Sequence, residues 1–224
     1  MNDPADRIDR LNRLDCCAVS DAMDKLGLRD RVASGLEQRS TTRRISGRVV
    51  TFRLVPAEQA PPQNSAAPRH LGTTAIELAQ AGDVIVVEQR TGIDAGSWGG
   101  ILTLGAKLRG VAGVIADGPV RDIDEARAYD FPIYCRSLTA RTARGRVAEA
   151  ETNQPVTIGD VRVNPGDFVI ADASGVAFIP AADIERVLDA AEAIAGREAA
   201  MAKALLAGTP IHEVMGADYE HMLR

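Results

Sequence analysis

Aromatic residues are scarce in this sequence of 224 residues and make up only 4% of the chain. Hydrophobic residues nevertheless reach 46%, which is enough for a chain of this length to bury a substantial core. The core must therefore be built mainly from alanine, valine, leucine and isoleucine. The length suits one large domain or two small ones, and no internal repeat or boundary is visible. A single domain over residues 1–224 is predicted.

Blocks of basic residues and long apolar runs are missing as well. The formal net charge is −5, which argues against nucleic acid as a main partner. No apolar stretch approaches the roughly 18 residues of a membrane span. The opening MNDPADRIDRL lacks the apolar region of a secretion signal. These absences predict a cytoplasmic protein with no membrane partner.

Cysteine is also rare, with three residues and no CxxC pair, so a zinc knuckle is not supported. Cys16 and Cys17 are adjacent, whereas Cys135 is distant. The odd count favours free thiols. The sequence leaves two interpretations open, catalytic nucleophiles or small buried hydrophobic side chains, and the second is favoured.

The apolar pattern predicts an α/β layered fold with a mixed sheet. Residues 4–26 have helical spacing and predict two short helices, the second capped by Ser20 or Asp21. The middle of the chain alternates strands and helices as βαβ units do, and consecutive strands follow from residue 133. An alanine-rich helix over Ile184–Leu206 carries one apolar face, in a C-terminal helical tail from about residue 181.

The segment over residues 96–122, GSWGGILTLGAKLRGVAGVIADGPVRD, combines the most informative features of the chain. An apolar run, predicted to be a buried strand, leads to a predicted tight turn at Gly118 and Pro119. Arg121 then follows, and its guanidinium can fork onto a carboxylate. Asp122 can offer oxygen to a hard cation such as Mg²⁺. This pair of chemistries suits a metal-bound 2-oxo acid, although a helix cap beside a surface ion pair is the plainer alternative.

The glycines that open this segment have two interpretations. Gly96, Gly99 and Gly100 would let backbone N–H groups approach a ligand closely. The helix predicted over Trp98–Arg109 would add free N–H groups that attract an anion. The alternative is a glycine-rich turn without a ligand.

Five stretches together resemble the RraA-like family. They are SDAMDKLG at 20–27, AGDVIVV at 81–87, GSWG at 96–99, DGPVRD at 117–122 and PGDFVIADASGV at 165–176. The family holds the regulator of ribonuclease E activity A and class II pyruvate aldolases of the 4-hydroxy-4-methyl-2-oxoglutarate type. The resemblance implies a β/β/α layered domain like the swivelling phosphohistidine domain. It also implies assembly into trimers or hexamers.

The resemblance also implies a site. Arg121 would hold the pyruvyl carboxylate, and Asp122 would ligate Mg²⁺ or Mn²⁺. A metal chelated by the 2-oxo acid would stabilise the enolate that forms when the C3–C4 bond breaks. Backbone amides of the glycine loop would bind the pyruvyl end, which makes the substrate-binding set Gly96, Ser97, Trp98, Gly99, Gly100, Ile101 and Arg121.

Gly100 is a departure from the family, whose aldolases carry an acidic residue at this position that helps to position a catalytic water. Aldol cleavage needs a base for the C4 hydroxyl, whereas decarboxylation of oxaloacetate does not. His70 could supply that base, or it could be a solvated loop histidine. Asp117 could orient Arg121 or a metal-bound water, or it could cap the turn at Gly118.

The leading hypothesis is a divalent-metal-dependent lyase that acts on a small 2-oxo acid by aldol cleavage or decarboxylation. One alternative is a non-catalytic binding protein that resembles the ribonuclease E regulator. Another is a family member recruited to other metal chemistry. Retention of Arg121 and Asp122 favours the enzyme, while the loss of the acid at Gly100 argues the other way.

Overall fold

The computed structural model describes residues 4–62 and 70–216. The α-helices in this part of the chain are Pro4–Leu11 (α1), Cys16–Lys25 (α2), Thr73–Leu78 (α3), Gly100–Leu108 (α4), Ile123–Ala128 (α5), Ile184–Leu206 (α6) and Ile211–Val214 (α7). The strands are Val32–Ala33 (β1), Glu37–Gln38 (β2), Ile45–Pro56 (β3), Val84–Glu88 (β4), Gly113–Val120 (β5), Ile133–Leu138 (β6), Val147–Thr152 (β7), Val156–Ile158 (β8), Val161–Val163 (β9), Phe168–Asp172 (β10) and Gly175–Ile179 (β11).

A mixed sheet organises these elements in the order β1-β11-β10-β3-β4-β5-β6-β2, with β7 paired to β3. The strands β3, β4, β5 and β6 are parallel neighbours, and α3, α4 and α5 connect them in turn. The other pairings in this sheet are antiparallel, and β8 and β9 form a separate hairpin. The predicted mixed α/β architecture is confirmed, while the likeness to the phosphohistidine domain remains a prediction.

The central strands are buried on both faces, and alternate residues serve different cores. On β4, Ile85 and Val87 pack towards α3, α4 and α5. Val84 and Val86 face the opposite way and pack with the β8–β9 hairpin. The parallel strands are therefore covered by helices on one side and by the hairpin on the other.

The apolar face of α6 is buried within its own chain. Ile184, Leu188 and Ile194 pack against α1, α2 and the strands β10 and β11. Helix α2 covers this face, so it is not available as a contact for other copies of the chain. No helix in the described ranges combines the length and the apolar character that a membrane span requires.

The structure corrects two local predictions. Helix α2 begins at Cys16, and its cap is Asp15, whose side chain accepts the Ala18 N–H, so neither Ser20 nor Asp21 caps it. No tight turn forms at Gly118, because β5 continues through it to Val120 with irregular pairing to β6.

Candidate active site

A pocket of about 160 Å³ lies at the carboxyl ends of β4 and β5, between the loop that enters α4 and the start of α5. Strand ends of this kind open into crevices that commonly hold ligands. The pocket is lined by His70, Leu71, Gly96, Trp98, Gly99, Gly100, Ile101, Leu102, Arg121, Asp122, Thr142 and Ala143. The fold thus brings most of the predicted site residues to one place.

Two of the loop glycines have the side chains of other residues packed directly against their backbone. A Cβ atom on Gly96 would lie 2.8 Å from Arg121 Cγ, and a Cβ on Gly99 would lie 2.9 Å from Asp122 Oδ2. Both separations are too short for a real side chain. Glycine at these positions therefore lets Arg121 and Asp122 rest directly against the loop backbone.

Gly100 is matched in the same way to Glu125, which lies on the first turn of α5. A Cβ on Gly100 would overlap the Glu125 carboxylate. The position that lacks the family acid is therefore filled by a carboxylate from another helix. Glu125 is not among the site residues predicted from the sequence.

Arg121 is held in place from both its backbone and its side chain. Its N–H donates to the Trp98 carbonyl oxygen at 3.0 Å, and its Nε donates to Asp122 Oδ1 at 3.2 Å. The side chain keeps 37% of its surface exposed, so the rest of the guanidinium is open to the pocket. Such a half-buried, oriented fork is suited to a carboxylate.

Asp122 has a strained backbone, with φ 57° and ψ 38° in the left-handed region. Aspartate tolerates this region better than most residues, but strain of about 1–3 kcal/mol is typical, and such strain often marks functional sites. Its side chain does not cap α5, which contradicts the plainer interpretation of the Arg121-Asp122 pair. Instead, Oδ2 accepts the Gly100 N–H at 3.0 Å. That predicted backbone donor is therefore already occupied by Asp122.

Two predicted site residues lie elsewhere. Asp117 is buried on the hairpin side of β5, where its carboxylate accepts Arg136 Nε–H at 2.6 Å and the Gly159 N–H at 2.7 Å. It therefore neither orients Arg121 nor caps a turn. Ser97 is fully buried, and both its N–H and its hydroxyl donate to the Pro119 carbonyl oxygen at 2.8 Å. Both residues stabilise the frame of the site from outside the pocket.

The cysteines do not form a nucleophilic site. Cys16 and Cys135 are buried, as predicted, while Cys17 is exposed. Burial raises the pKa of the Cys135 thiol to about 11, and burial together with nearby Asp172 raises the pKa of Cys16 further. Neither buried thiol supplies a thiolate at neutral pH.

A larger cavity of about 540 Å³ lies at the opposite end of the parallel strands, beside Arg7, Arg48 and Asp83. Its charged groups are engaged within the chain. Arg7 Nε donates to Glu185 at 2.6 Å, and Arg48 Nε lies 3.5 Å from Asp83. The smaller pocket is the better candidate because it gathers the residues that the sequence predicts for the site, Arg121 and Asp122 among them.

A comparison with protein-family models assigns the chain to a known protein family. The model described as RraA-like, Aldolase/RraA, matches residues 16–178. The chain belongs to the RraA-like family. The matched region ends before α6, so the extent of a single domain over 1–224 remains a prediction.

Relatives of the RraA-like chain carry different names. It is 28% identical over 195 residues to Protein DlpA of Legionella pneumophila. The aligned region covers 87% of this chain and 31% of that protein. It is 36% identical over 114 residues to a Halalkalibacterium halodurans protein named "Putative 4-hydroxy-4-methyl-2-oxoglutarate aldolase", covering 51% of the chain and 54% of that relative. The chain thus spans 31% and 54% of the lengths of these two curated relatives.

A solved RraA-like structure has the same fold. Streptomyces coelicolor RraAS2, described as an unusual member of the RNase ES inhibitor RraA protein family, superposes with a TM-score of 0.76 at 25% identity. The match covers 86% of this chain and 93% of that one. The relatives therefore carry the name of an aldolase in one case and of a ribonuclease inhibitor in the other. The chemistry of the pocket is the evidence that bears on which function this chain has.

Asp122 on the wall of this RraA-like pocket and Glu125 beside Gly100 offer carboxylate oxygens, the donor type that suits a hard divalent cation. Asp122 and Glu125 both lie against Gly100. Within residues 4–62 and 70–216, no group of three or more His, Cys, Asp or Glu side chains forms a metal cage. Mg²⁺ is commonly bound by one or two carboxylates and completes its shell with water and substrate oxygen. The pair fits Mg²⁺ or Mn²⁺ better than a closed zinc site.

Proposed function

We propose that the protein is a divalent-metal-dependent carbon–carbon lyase that acts on a small 2-oxo acid by aldol cleavage or decarboxylation. The observation that carries this proposal is the match between three glycines and three charged side chains. The absence of a side chain at Gly96 leaves room for Arg121, and the absence at Gly99 leaves room for Asp122. Gly100 leaves room for Glu125 in the same way. A purely structural loop has no need to place a guanidinium and a carboxylate on the wall of an open pocket, with a second carboxylate against the neighbouring glycine.

Each charged group has a distinct role in the proposal. Arg121 binds the carboxylate of the 2-oxo acid, while Asp122 and Glu125 hold the cation. The bound cation would act as a Lewis acid that stabilises negative charge developing on the 2-oxo oxygen. The exposed side of the Arg121 guanidinium sets the orientation of the substrate towards the two carboxylates.

The remaining walls restrict what can enter. Trp98 is buried, with its indole N–H donating to Thr103 Oγ1 at 2.9 Å, and its ring packs near Phe52 at a centroid distance of 6.3 Å. Leu71 and Leu102 add further apolar surface. This rigid apolar wall limits the substrate to a small molecule and excludes water from one side of the reacting carbons.

The position of Glu125 gives a test based on Gly100. Gly100→Ala should lower lyase kcat/KM by about 10- to 100-fold, because the added Cβ displaces the Glu125 carboxylate from its place beside Asp122. Gly100→Asp combined with Glu125→Ala should be more active than Gly100→Asp alone, since one carboxylate then replaces the other. The double-mutant cycle should therefore be strongly non-additive.

Thermal melts of each variant provide the control for that cycle. Full activity in a folded Gly100→Ala variant would show that Glu125 has no part in the site. Additive losses across the cycle would lead to the same conclusion.

Assembly gives another prediction. Ile101 and Leu108 on α4 and Leu206 on α6 are at least 80% exposed, which is unusual for large apolar side chains. Ile101 also lies at the rim of the pocket. We expect a trimer or hexamer in sedimentation at micromolar concentration, with Leu108→Glu shifting it towards smaller species. A stable monomer of 23.8 kDa would contradict this expectation.

The reaction itself is tested by coupled detection of pyruvate. Lactate dehydrogenase and reduced nicotinamide cofactor would report pyruvate released from oxaloacetate and from a panel of 4-hydroxy-2-oxo acids, each with Mg²⁺ or Mn²⁺. We expect release from at least one substrate above the metal-only background. Absence of activity on every substrate would instead favour the regulator-like binding protein.

A further inference from the structure

Aldol cleavage at this pocket needs a base, and its charged groups are already assigned. Arg121 stays protonated and cannot accept a proton. Asp122 and Glu125 are committed to the cation in the proposed function. Among the described residues that line the pocket, His70 is the remaining side chain with a basic nitrogen. We propose that His70 is the base that deprotonates the C4 hydroxyl, an inference that rests on the proposed function.

The tautomer of His70 supports this role. Its Nδ1 lies 3.0 Å from the Leu71 carbonyl oxygen. A carbonyl oxygen only accepts hydrogen bonds, so Nδ1 carries the proton and donates. In the neutral ring Nε2 then holds the lone pair. The contact with Leu71 therefore presets the ring for proton transfer at Nε2, as a second hydrogen bond does for catalytic histidines in general.

The backbone around His70 is anchored on several sides. The His70 carbonyl oxygen accepts the Thr73 hydroxyl at 2.7 Å and the Thr73 N–H at 3.3 Å. Two residues along, the Gly72 N–H donates to Glu149 Oε2 at 2.6 Å. Glu149 lies on β7 and also accepts the Thr152 hydroxyl. The segment is therefore tied to the sheet, unlike a freely solvated loop histidine.

The charged groups around His70 are consistent with a base. Arg121 and Asp122 line the same pocket from the start of α5, and Glu125 lies against the first residue of α4. Glu149 approaches from β7 beneath the segment. The carboxylates of Asp122 and Glu149 offset the charge of Arg121 in this region, so the positive charge that the ring gains with a proton does not meet a net positive surrounding.

The proton and electrons balance without a further reactant. Nε2 takes the C4 hydroxyl proton, and the O–H electron pair forms the new C4 carbonyl. The C3–C4 bond breaks, and its electron pair moves towards C2 to give the enolate of the shorter 2-oxo acid. The imidazolium can then return the proton to C3, which yields pyruvate or its homologue and restores neutral His70. Oxaloacetate has no C4 hydroxyl, so its decarboxylation omits the first transfer, and the enolate left by loss of carbon dioxide takes its C3 proton from water.

This difference between the two reactions provides the experiment. His70→Gln should lower kcat for cleavage of a 4-hydroxy-2-oxo acid by about 100-fold or more, the usual contribution of a general base. Oxaloacetate decarboxylation by the same variant should remain close to wild type. Imidazole added to His70→Ala should restore part of the cleavage rate. The matched control is His212→Gln on α7, an exposed histidine outside the pocket lining, which should change neither reaction.

Each outcome decides the proposal. Equal losses of cleavage and decarboxylation in a folded His70→Gln variant would show that His70 shapes the pocket, and the proposal would be wrong. Unchanged cleavage would also overturn it, as would failure of imidazole to restore any activity to His70→Ala. If wild type cleaves and decarboxylates nothing, the proposed lyase function itself fails, and this inference fails with it.

Discussion

Asp122→Asn should abolish the lyase activity while leaving the fold intact. Asparagine has nearly the same size as aspartate and also tolerates the left-handed conformation with φ 57° found at this position. It replaces a carboxylate by a neutral amide, which is a weaker ligand for a hard cation. We expect kcat/KM to fall by at least about 100-fold, since metal polarisation contributes several kcal/mol.

Asp124→Asn is the matched control for that variant. Asp124 lies two residues along, with 91% of its side chain exposed and its carboxylate paired to Arg127 on the same helix. Its substitution should leave both activity and thermal midpoint unchanged. Calorimetric titration with Mn²⁺ should show weakened binding for Asp122→Asn alone. Wild-type activity in a folded Asp122→Asn variant would reduce Asp122 to a structural role.

Replacement of Arg121 is expected to cause the second large loss of activity. A charge-assisted contact between guanidinium and carboxylate contributes about 1.5–3 kcal/mol, so Arg121→Ala should lower kcat/KM by about 10- to 150-fold. Arg121→Lys keeps the charge but loses the planar fork, and it should recover only part of that loss. Steady-state kinetics with the preferred 2-oxo acid would measure both effects, mainly as a raised KM.

Arg141→Lys provides the comparison for the Arg121 series. Arg141 is 64% exposed and lies near Asp94 on a neighbouring loop, outside the pocket lining. Its replacement should leave kcat/KM within about twofold, as is usual for surface substitutions. An Arg121→Ala variant with wild-type kcat/KM would mean that the substrate carboxylate binds elsewhere.

The meeting of the glycine loop with Arg121 and Asp122 could be predicted from the sequence. Both segments follow strands in the βαβ part of the chain, and the carboxyl ends of parallel neighbours lie at one edge of a sheet. The family motifs pointed to the same residues. Strand β4 and helix α6 were also predictable, because a short apolar run after a Gly-Asp turn indicates a buried strand and sustained helical periodicity indicates a helix.

Asp117 was misplaced because its surroundings come from distant parts of the chain. Ala116 packs towards the helices, so Asp117 faces the hairpin on the other side of β5. There it meets Arg136 from the adjacent strand and Gly159 from the turn of the β8–β9 hairpin. Sequence periodicity could assign the two faces only once the strand was known to continue through Gly118.

Glu125 was missed for a different reason. An acidic residue in the first turn of a helix is well explained by the helix dipole, so nothing called for a second role. The available signal was its spacing, because residues three apart at a helix start can share a face, as Asp122 and Glu125 do here. The absent side chain at Gly100 was the other half of that signal, and only the structure brings the two together.

Reversible metal dependence of pyruvate release tests the central claim most directly. Wild-type protein would be treated with EDTA, dialysed and assayed on its preferred 2-oxo acid before and after addition of Mg²⁺ or Mn²⁺, with Asp122→Asn alongside as the background for metal alone. We predict that activity disappears with EDTA and returns with the cation in wild type, and that it never exceeds background in Asp122→Asn. Full wild-type activity in the presence of EDTA would contradict a metal held by Asp122 and Glu125.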